Sequence, residues 1–303
     1  MCYHLVEAYA LFIISCILTP VNSIFFIKKY QLATGTSVKS NFFFLFVNGA
    51  ISAVPSVVAM LFTSTALQFT TYSFVMALAI VISSAINNIA ILKAYESGQM
   101  TVANIYSTVG SIILSCLYGV AILNEKLSVF NVIAIVLMIS SVILINESTE
   151  SKKANYKLLL IYAVMILASS ATSILGKQHQ VETIYSCVDT LSFSFWIAII
   201  RAIVFLPIIP FVLPKKEENA QNVISKRSVF YATVASLISG SCYIITLLTS
   251  KLIDISVMFP LTTGLYIIVS TLLPFLAFRE QLSKKQIIGA IISFIGTMMF
   301  IIG

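Results

Sequence analysis

Charge is what this sequence has least of. Only 10% of its 303 residues are Asp, Glu, Lys or Arg, against 59% hydrophobic, and the mean hydropathy is +1.02. A soluble domain carries about 25% charged residues to solvate its surface, so a soluble fold is excluded. Histidine is almost missing: His4 and His179 stand alone, no H-E-x-x-H occurs, and zinc-hydrolase chemistry is excluded with it. Five cysteines (Cys2, Cys16, Cys116, Cys187 and Cys242) include no C-x-x-C pair, so neither a metal site nor a disulfide framework is expected. Four of them fall in or beside apolar runs and read as small core residues. Gly176-Lys177 lacks both the earlier glycine and the following Ser or Thr of a nucleotide-binding loop. No stretch is long and polar enough to form a soluble domain. The reading is of no enzyme, no metal and no cofactor.

What is present is apolar length. Ten hydrophobic runs cover residues 5–27, 42–62, 72–92, 102–123, 129–145, 158–175, 191–213, 229–248, 255–278 and 287–302. A spanning helix needs roughly 20 mostly apolar residues, and barrel strands would alternate, which these runs do not. The predicted fold class is an all-α polytopic membrane protein with ten transmembrane helices. The first run lacks a basic stretch before it and is expected to be a retained helix, not a cleaved signal peptide.

The sequence repeats itself. With Thr101 aligned to Ser256 and no gap, Ile112-Ile113 falls on Ile267-Ile268, Ser115 on Ser270 and Leu117 on Leu272. The polar turn Glu125-Lys126-Leu127-Ser128 falls on Glu280-Gln281-Leu282-Ser283. In the second and seventh runs Gly49-Ala50 and Pro55 match Arg201-Ala202 and Pro207, and Asn22-Ser23-Ile24 matches Thr172-Ser173-Ile174. The repeat divides the chain into residues 1–146, a polar linker 147–156, and residues 157–303. Five crossings per half invert the second half relative to the first, about a pseudo-two-fold axis in the membrane plane. Two inverted five-helix repeats are the architecture of secondary transporters, whose solute site lies between repeats near the midplane.

The net charge of +7 could suggest a nucleic-acid partner, but the basic residues sit in short loops. All but four of the 18 Lys and Arg fall in the loops joining runs one to two, three to four, five to six, seven to eight and nine to ten; the exceptions are Lys126, Lys177, Lys251 and Arg201. The positive-inside rule then puts those loops in the cytoplasm and both termini on the non-cytoplasmic side of a plasma or bacterial inner membrane. The sequon Asn146-Glu147-Ser148 abuts the membrane in a basic loop and reads as coincidental.

The repeated apolar helix, the two E-x-L-S turns, the small-residue helix from Gln286-Ile287-Ile288-Gly289 to Gly296, Pro260 and Arg201 together resemble the drug/metabolite transporter superfamily, EamA type. The resemblance spans essentially the whole chain. It implies a ten-helix, two-repeat carrier for amino acids, other metabolites or drugs. Two departures stand out. Ile105 occupies the first-repeat position of Pro260, and the loop charges put the termini outside where the family is described with both inside.

Few residues can carry specific chemistry. Arg201 lies about ten residues into the seventh run, near mid-membrane at roughly 1.5 Å per residue. An Arg at a helix centre costs about 2.5–3.5 kcal/mol and needs a partner or a wet cavity. It reads either as an anchor for an anionic group, such as a solute carboxylate, or as a structural Arg bonded to neighbouring carbonyls. Asn87 and Asn88 are adjacent and point about 100° apart, so they cannot both face lipid. They and Asn22 are cavity candidates, with helix–helix contacts worth about 0.6 kcal/mol as the plainer role. Tyr106, Tyr243, Thr262 and Tyr266 complete the candidate lining, beside a helix kink at Pro260. Thr263 reads as packing.

Glu125, Ser128, Glu280 and Ser283 read as turn-shaping residues, with Ser128 and Ser283 capping the following helices. Asp189 and Asp254 begin helices, where the helix dipole favours them. The site is expected on runs one, three, four, six, eight and nine, with Arg201 supporting it. The functional reading is a secondary transporter of a small organic solute working by alternating access, with the solute and the lipid bilayer as its partners. A flippase for lipid-linked substrates or a nucleotide-sugar carrier is the alternative on the same scaffold, and an integral membrane enzyme lacks its catalytic cluster. A homodimer has no support in the sequence. The topology predicts that a cysteine at Lys216 will resist an impermeant maleimide applied to intact cells and react only in permeabilised ones; labelling of intact cells would reverse the orientation.

Overall fold

Each apolar run becomes one helical stretch. The computed structural model describes residues 2–35, 38–96, 100–146, 156–212, 225–278 and 284–302. Helix α1 (Cys2–Asn22) passes through a π turn (Ser23–Ile27) into α2 (Lys28–Thr34). Then come α3 (Val38–Thr63), α4 (Thr71–Glu96), α5 (Met100–Ala121), α6 (Val129–Asn146) and α7 (Tyr156–Val181). Helix α8 (Thr190–Phe205) runs through a 3-10 turn (Leu206–Ile208) into the short α9 (Ile209–Val212), and α10 (Lys226–Thr249), α11 (Ile255–Phe278) and α12 (Lys284–Ile302) complete the chain. No strand occurs among the described residues.

Local chemistry explains where these helices bend and end. Pro207 has no N–H to return to the carbonyl four residues back, and the α8 helix tightens to 3-10 at that point. Asp189 caps α8, accepting from the N–H groups of Leu191 (3.0 Å) and Ser192 (3.2 Å), as its place at the head of an apolar run predicts. Helix α7 outruns its apolar stretch by continuing through Gly176-Lys177-Gln178-His179-Gln180. These polar residues stay helical because each has a partner: Gln178 accepts from Tyr118 (2.5 Å), His179 Nε2 meets Ser73 Oγ (2.8 Å) and Gln180 accepts from Thr190 (2.7 Å). Helix α11 runs on through Pro260, and the Ser256 carbonyl left without its helical N–H accepts from the Cys116 thiol at 3.6 Å.

Five stretches are long and apolar enough to cross a membrane: Glu7–Thr34, Lys39–Thr63, Thr71–Ile91, Leu159–Val181 and Lys226–Thr249. Shorter apolar helices lie at Ser111–Ala121, Val129–Ser141, Thr190–Phe205, Ile255–Val269 and Ile287–Met299. Large apolar side chains remain uncovered along them, such as Leu61 (75% exposed) and Leu117 (58%). In water such surface would associate; in a bilayer the acyl chains cover it. The protein is an all-helical, polytopic membrane protein.

Its helices gather into two compact units, residues 1–13, 82–178 and 249–303 in one and 14–81 and 179–248 in the other. In the first, α6 packs on α12 and α5 on α11. Ala134 and Met138 of α6, both fully buried, meet Val257 and Met299. In the second, α3 packs on α8. Each of these pairs joins helices that the sequence repeat makes equivalent. The α3–α8 pair is close enough that a Cβ on Gly49 would lie 2.5 Å from the Ala202 backbone nitrogen, and one on Gly240 of α10 would lie 2.8 Å from the Ser52 carbonyl oxygen. Backbone cannot move aside as a flexible side chain can. Gly49→Ala should therefore destabilise the protein by about 1–3 kcal/mol, read as a lower melting temperature in detergent, and an unchanged melt would mean that the helices part freely there.

Candidate functional site

The close approaches at Gly49 and Gly240 flank a cavity of about 260 Å³ between α3, α8 and α10. Phe44, Asn48 and Ser52 line it from α3, Ser194, Ile197, Ala198 and Arg201 from α8, and Ser239, Gly240 and Tyr243 from α10. Arg201 Nη1 donates to Asn48 Oδ1 at 2.7 Å. The Arg201 Nε and the Tyr243 hydroxyl are both buried without a hydrogen-bond partner. No Asp or Glu is among the lining residues. The guanidinium is thus held by a neutral amide, and its charge is not cancelled by a lining carboxylate.

The hydroxyls around it are set up as donors. Ser194 Oγ accepts from Ser56 Oγ at 3.2 Å, and Ser239 Oγ accepts from Asn22 Nδ2 at 2.9 Å. Each serine thereby spends an acceptor position and keeps its own O–H to give. Asn22 is buried and also donates to the Ala235 carbonyl at 2.9 Å, so it positions Ser239 from behind.

Of the residues singled out in the sequence, the structure brings Arg201 and Tyr243 together in this cavity and puts Asn22 one hydrogen bond away. The others belong to the first unit. Asn87 is partly buried with its Oδ1 unpaired, and Asn88 Nδ2 donates to its own helix at Ser84 (2.7 Å). Thr262 donates back to Met258 (2.8 Å), Tyr266 is 40% exposed and Pro260 is buried in α11. Glu280, Ser283 and the side chain of Tyr106 lie outside the described residues. The cavity is built from the second, seventh and eighth runs, of which the eighth and, through Arg201, the seventh were expected to contribute. Asn48, Ser52, Ser194 and Ser239 were not singled out. A signal for Asn48 existed: it adjoins Gly49, the residue that the repeat aligns with Arg201.

The model of the EamA-like transporter family matches residues 156–302, the half that supplies Arg201, Ser194, Ser239 and Tyr243. The second half is an EamA-like transporter domain. Its family consists of transporters, and the match supports a membrane transporter of the drug/metabolite type. A solved crystal structure is similar over 97% of this chain and 97% of its own, with a TM-score of 0.75 at 12% identity, a likeness of fold alone. No curated protein matches the sequence.

The E-x-L-S turn of the first repeat also finds a partner outside its own half. Asn124 takes a left-handed backbone (φ 55°), and Glu125 folds back so that its carboxylate accepts from the N–H groups of Ile255 (2.8 Å) and Ser256 (2.9 Å) and from the Ser256 hydroxyl (2.6 Å). A Cβ on Gly119 would strike that carboxylate. Glu125 therefore caps α11, a helix of the EamA-like domain. Ser128 accepts from the Asn131 N–H at 3.1 Å, the cap its spacing predicts. Lys177, a loop residue by sequence, is only 5% exposed within α7 and donates at 2.6 Å to both Ser250 and Ile253 carbonyls. Asp254, between α10 and α11, has its carboxyl pushed above the usual range by burial and then by Glu125, with Lys177 opposing. Removing the cap in Glu125→Ala should cost about 1–2 kcal/mol, seen as a lower melting temperature, with Glu125→Gln in between; three equal melts would show that the cap carries no stability.

Proposed function

We propose that this transporter is a secondary carrier that moves a small organic solute by alternating access, with the α3–α8–α10 cavity as its solute site. One observation carries the reading: a cavity with polar groups on three helices opens beside a buried Arg within an apolar helix, where the repeat-equivalent helices α3 and α8 meet. A buried charge inside a membrane is retained for function by default, since lipid supplies no partner for it. The pairing of α5 with α11 and α6 with α12 supports two inverted five-helix halves, residues 1–146 and 157–303, with the linker 147–156 joining them. Rocking of such halves opens a site between repeats to each side in turn.

The loop charges support a plasma or bacterial inner membrane with the termini on the non-cytoplasmic face. A single cysteine replacing Ser52 in a cysteine-free background tests alternating access. Impermeant maleimide should label it in right-side-out and in inverted vesicles alike, and labelling confined to one orientation would overturn the carrier reading.

A further inference from the structure

The cavity has an unequal supply of hydrogen-bonding groups, and that inequality selects a class of solute. Donors dominate. Arg201 brings a permanent cation with an unpaired Nε, Tyr243 an unpaired hydroxyl, and Ser194 and Ser239 hydroxyls that each already accept one bond and keep a proton to give, while the Ser52 hydroxyl donates to the Gly49 carbonyl. The acceptor best placed to compensate them, Asn48 Oδ1, is used by Arg201 itself. A buried donor left unmade costs about 1–3 kcal/mol, more when charged, so this cavity is poorly satisfied without an acceptor-rich occupant. A carboxylate is acceptor-only, carries the opposite charge and matches the planar guanidinium.

We infer that the solute is a small organic monoanion whose carboxylate pairs with Arg201 and Tyr243 while the α8 and α10 serines bind its remaining oxygens. This rests on the cavity being the solute site. The same inventory disfavours organic cations and zwitterionic amino acids, because no lining residue is acidic and an ammonium group would meet donors. Di- and tricarboxylates are disfavoured by the single cation.

Short monocarboxylates leak through bilayers as neutral acids, so binding is the cleaner readout. The test is calorimetric titration of the full chain in detergent at pH 7, with sodium lactate, its neutral isostere lactamide, L-alanine and a sodium chloride control. Lactate should bind, and the other three should bind at least about tenfold more weakly. Asn48→Asp puts an isosteric carboxylate against Arg201 and cancels the cavity's charge with little change of shape. It should weaken lactate at least about tenfold while keeping the melting temperature. Arg201→Gln should do the same, and Tyr243→Phe, which removes only an unpaired hydroxyl, should fold normally and bind lactate more weakly.

Equal binding of lactate and lactamide, with both weakened in Tyr243→Phe, would overturn the anion assignment and leave the cavity as the solute site. Lactate binding untouched by Asn48→Asp would place the anion elsewhere and overturn both. No binding of lactate to the wild-type chain would overturn the inference, without bearing on two-sided labelling at Ser52.

Discussion

The contact between α3 and α8 at Gly49 is what the candidate site depends on. Helices packed through large side chains keep their axes 8–10 Å apart. Here a Cβ at Gly49 has no room against the Ala202 and Ala198 backbone, so the two backbones come closer than ordinary side chains allow. That approach brings Asn48 Oδ1 within 2.7 Å of the Arg201 guanidinium. Gly240 does the same for α10 against Ser52. Small residues draw the three helices together, and the larger Phe44, Ile197 and Tyr243 keep space open beside them. In a bilayer, where lipid is as apolar as leucine, such close packing is the main attraction between helices.

The scarcity of charge acquires a meaning from where the described charges lie. Glu125 caps α11, Asp189 caps α8, and Lys177 covers the carbonyls where α10 gives way to the turn before α11. Helix ends leave backbone groups unsatisfied, and opposite charges stabilise them. These residues therefore solve a problem common to every helical membrane protein. Arg201 differs: it lies in α8 before the last turn, and its partner is a side-chain amide with unspent donors around it. Charge spent on architecture sits at ends, and the charge facing the cavity has no lining carboxylate against it.

Much of the fold was legible because hydropathy and helix length are local properties. Runs of apolar residues map onto helices with ends displaced by a few residues. Asp189 and Ser128 cap as their positions predicted, because capping is decided within one turn. Lys177 was misplaced because a polar helix end is stabilised by distant groups, here the Ser250 and Ile253 carbonyls. The site was half legible for the same reason. An Arg amid apolar residues announces itself, whereas Ser194, Ser239 and Ser52 are ordinary helix-packing residues until three separate helices bring them to one cavity. Glu125 showed as a turn residue, but the helix it caps begins 130 residues later.

The repeat is most informative where its copies disagree. Gly49 and Arg201 occupy aligned positions, and a strictly symmetric pair would set two arginines or two glycines against each other. Two arginines would repel and would exclude the close approach; two glycines would leave the cavity without charge. Divergence resolves this: one copy supplies the missing side chain that lets the helices meet, and the other supplies the guanidinium. The chemistry of the cavity is then asymmetric, with a cation on the α8 side facing amide and hydroxyl groups on α3 and α10.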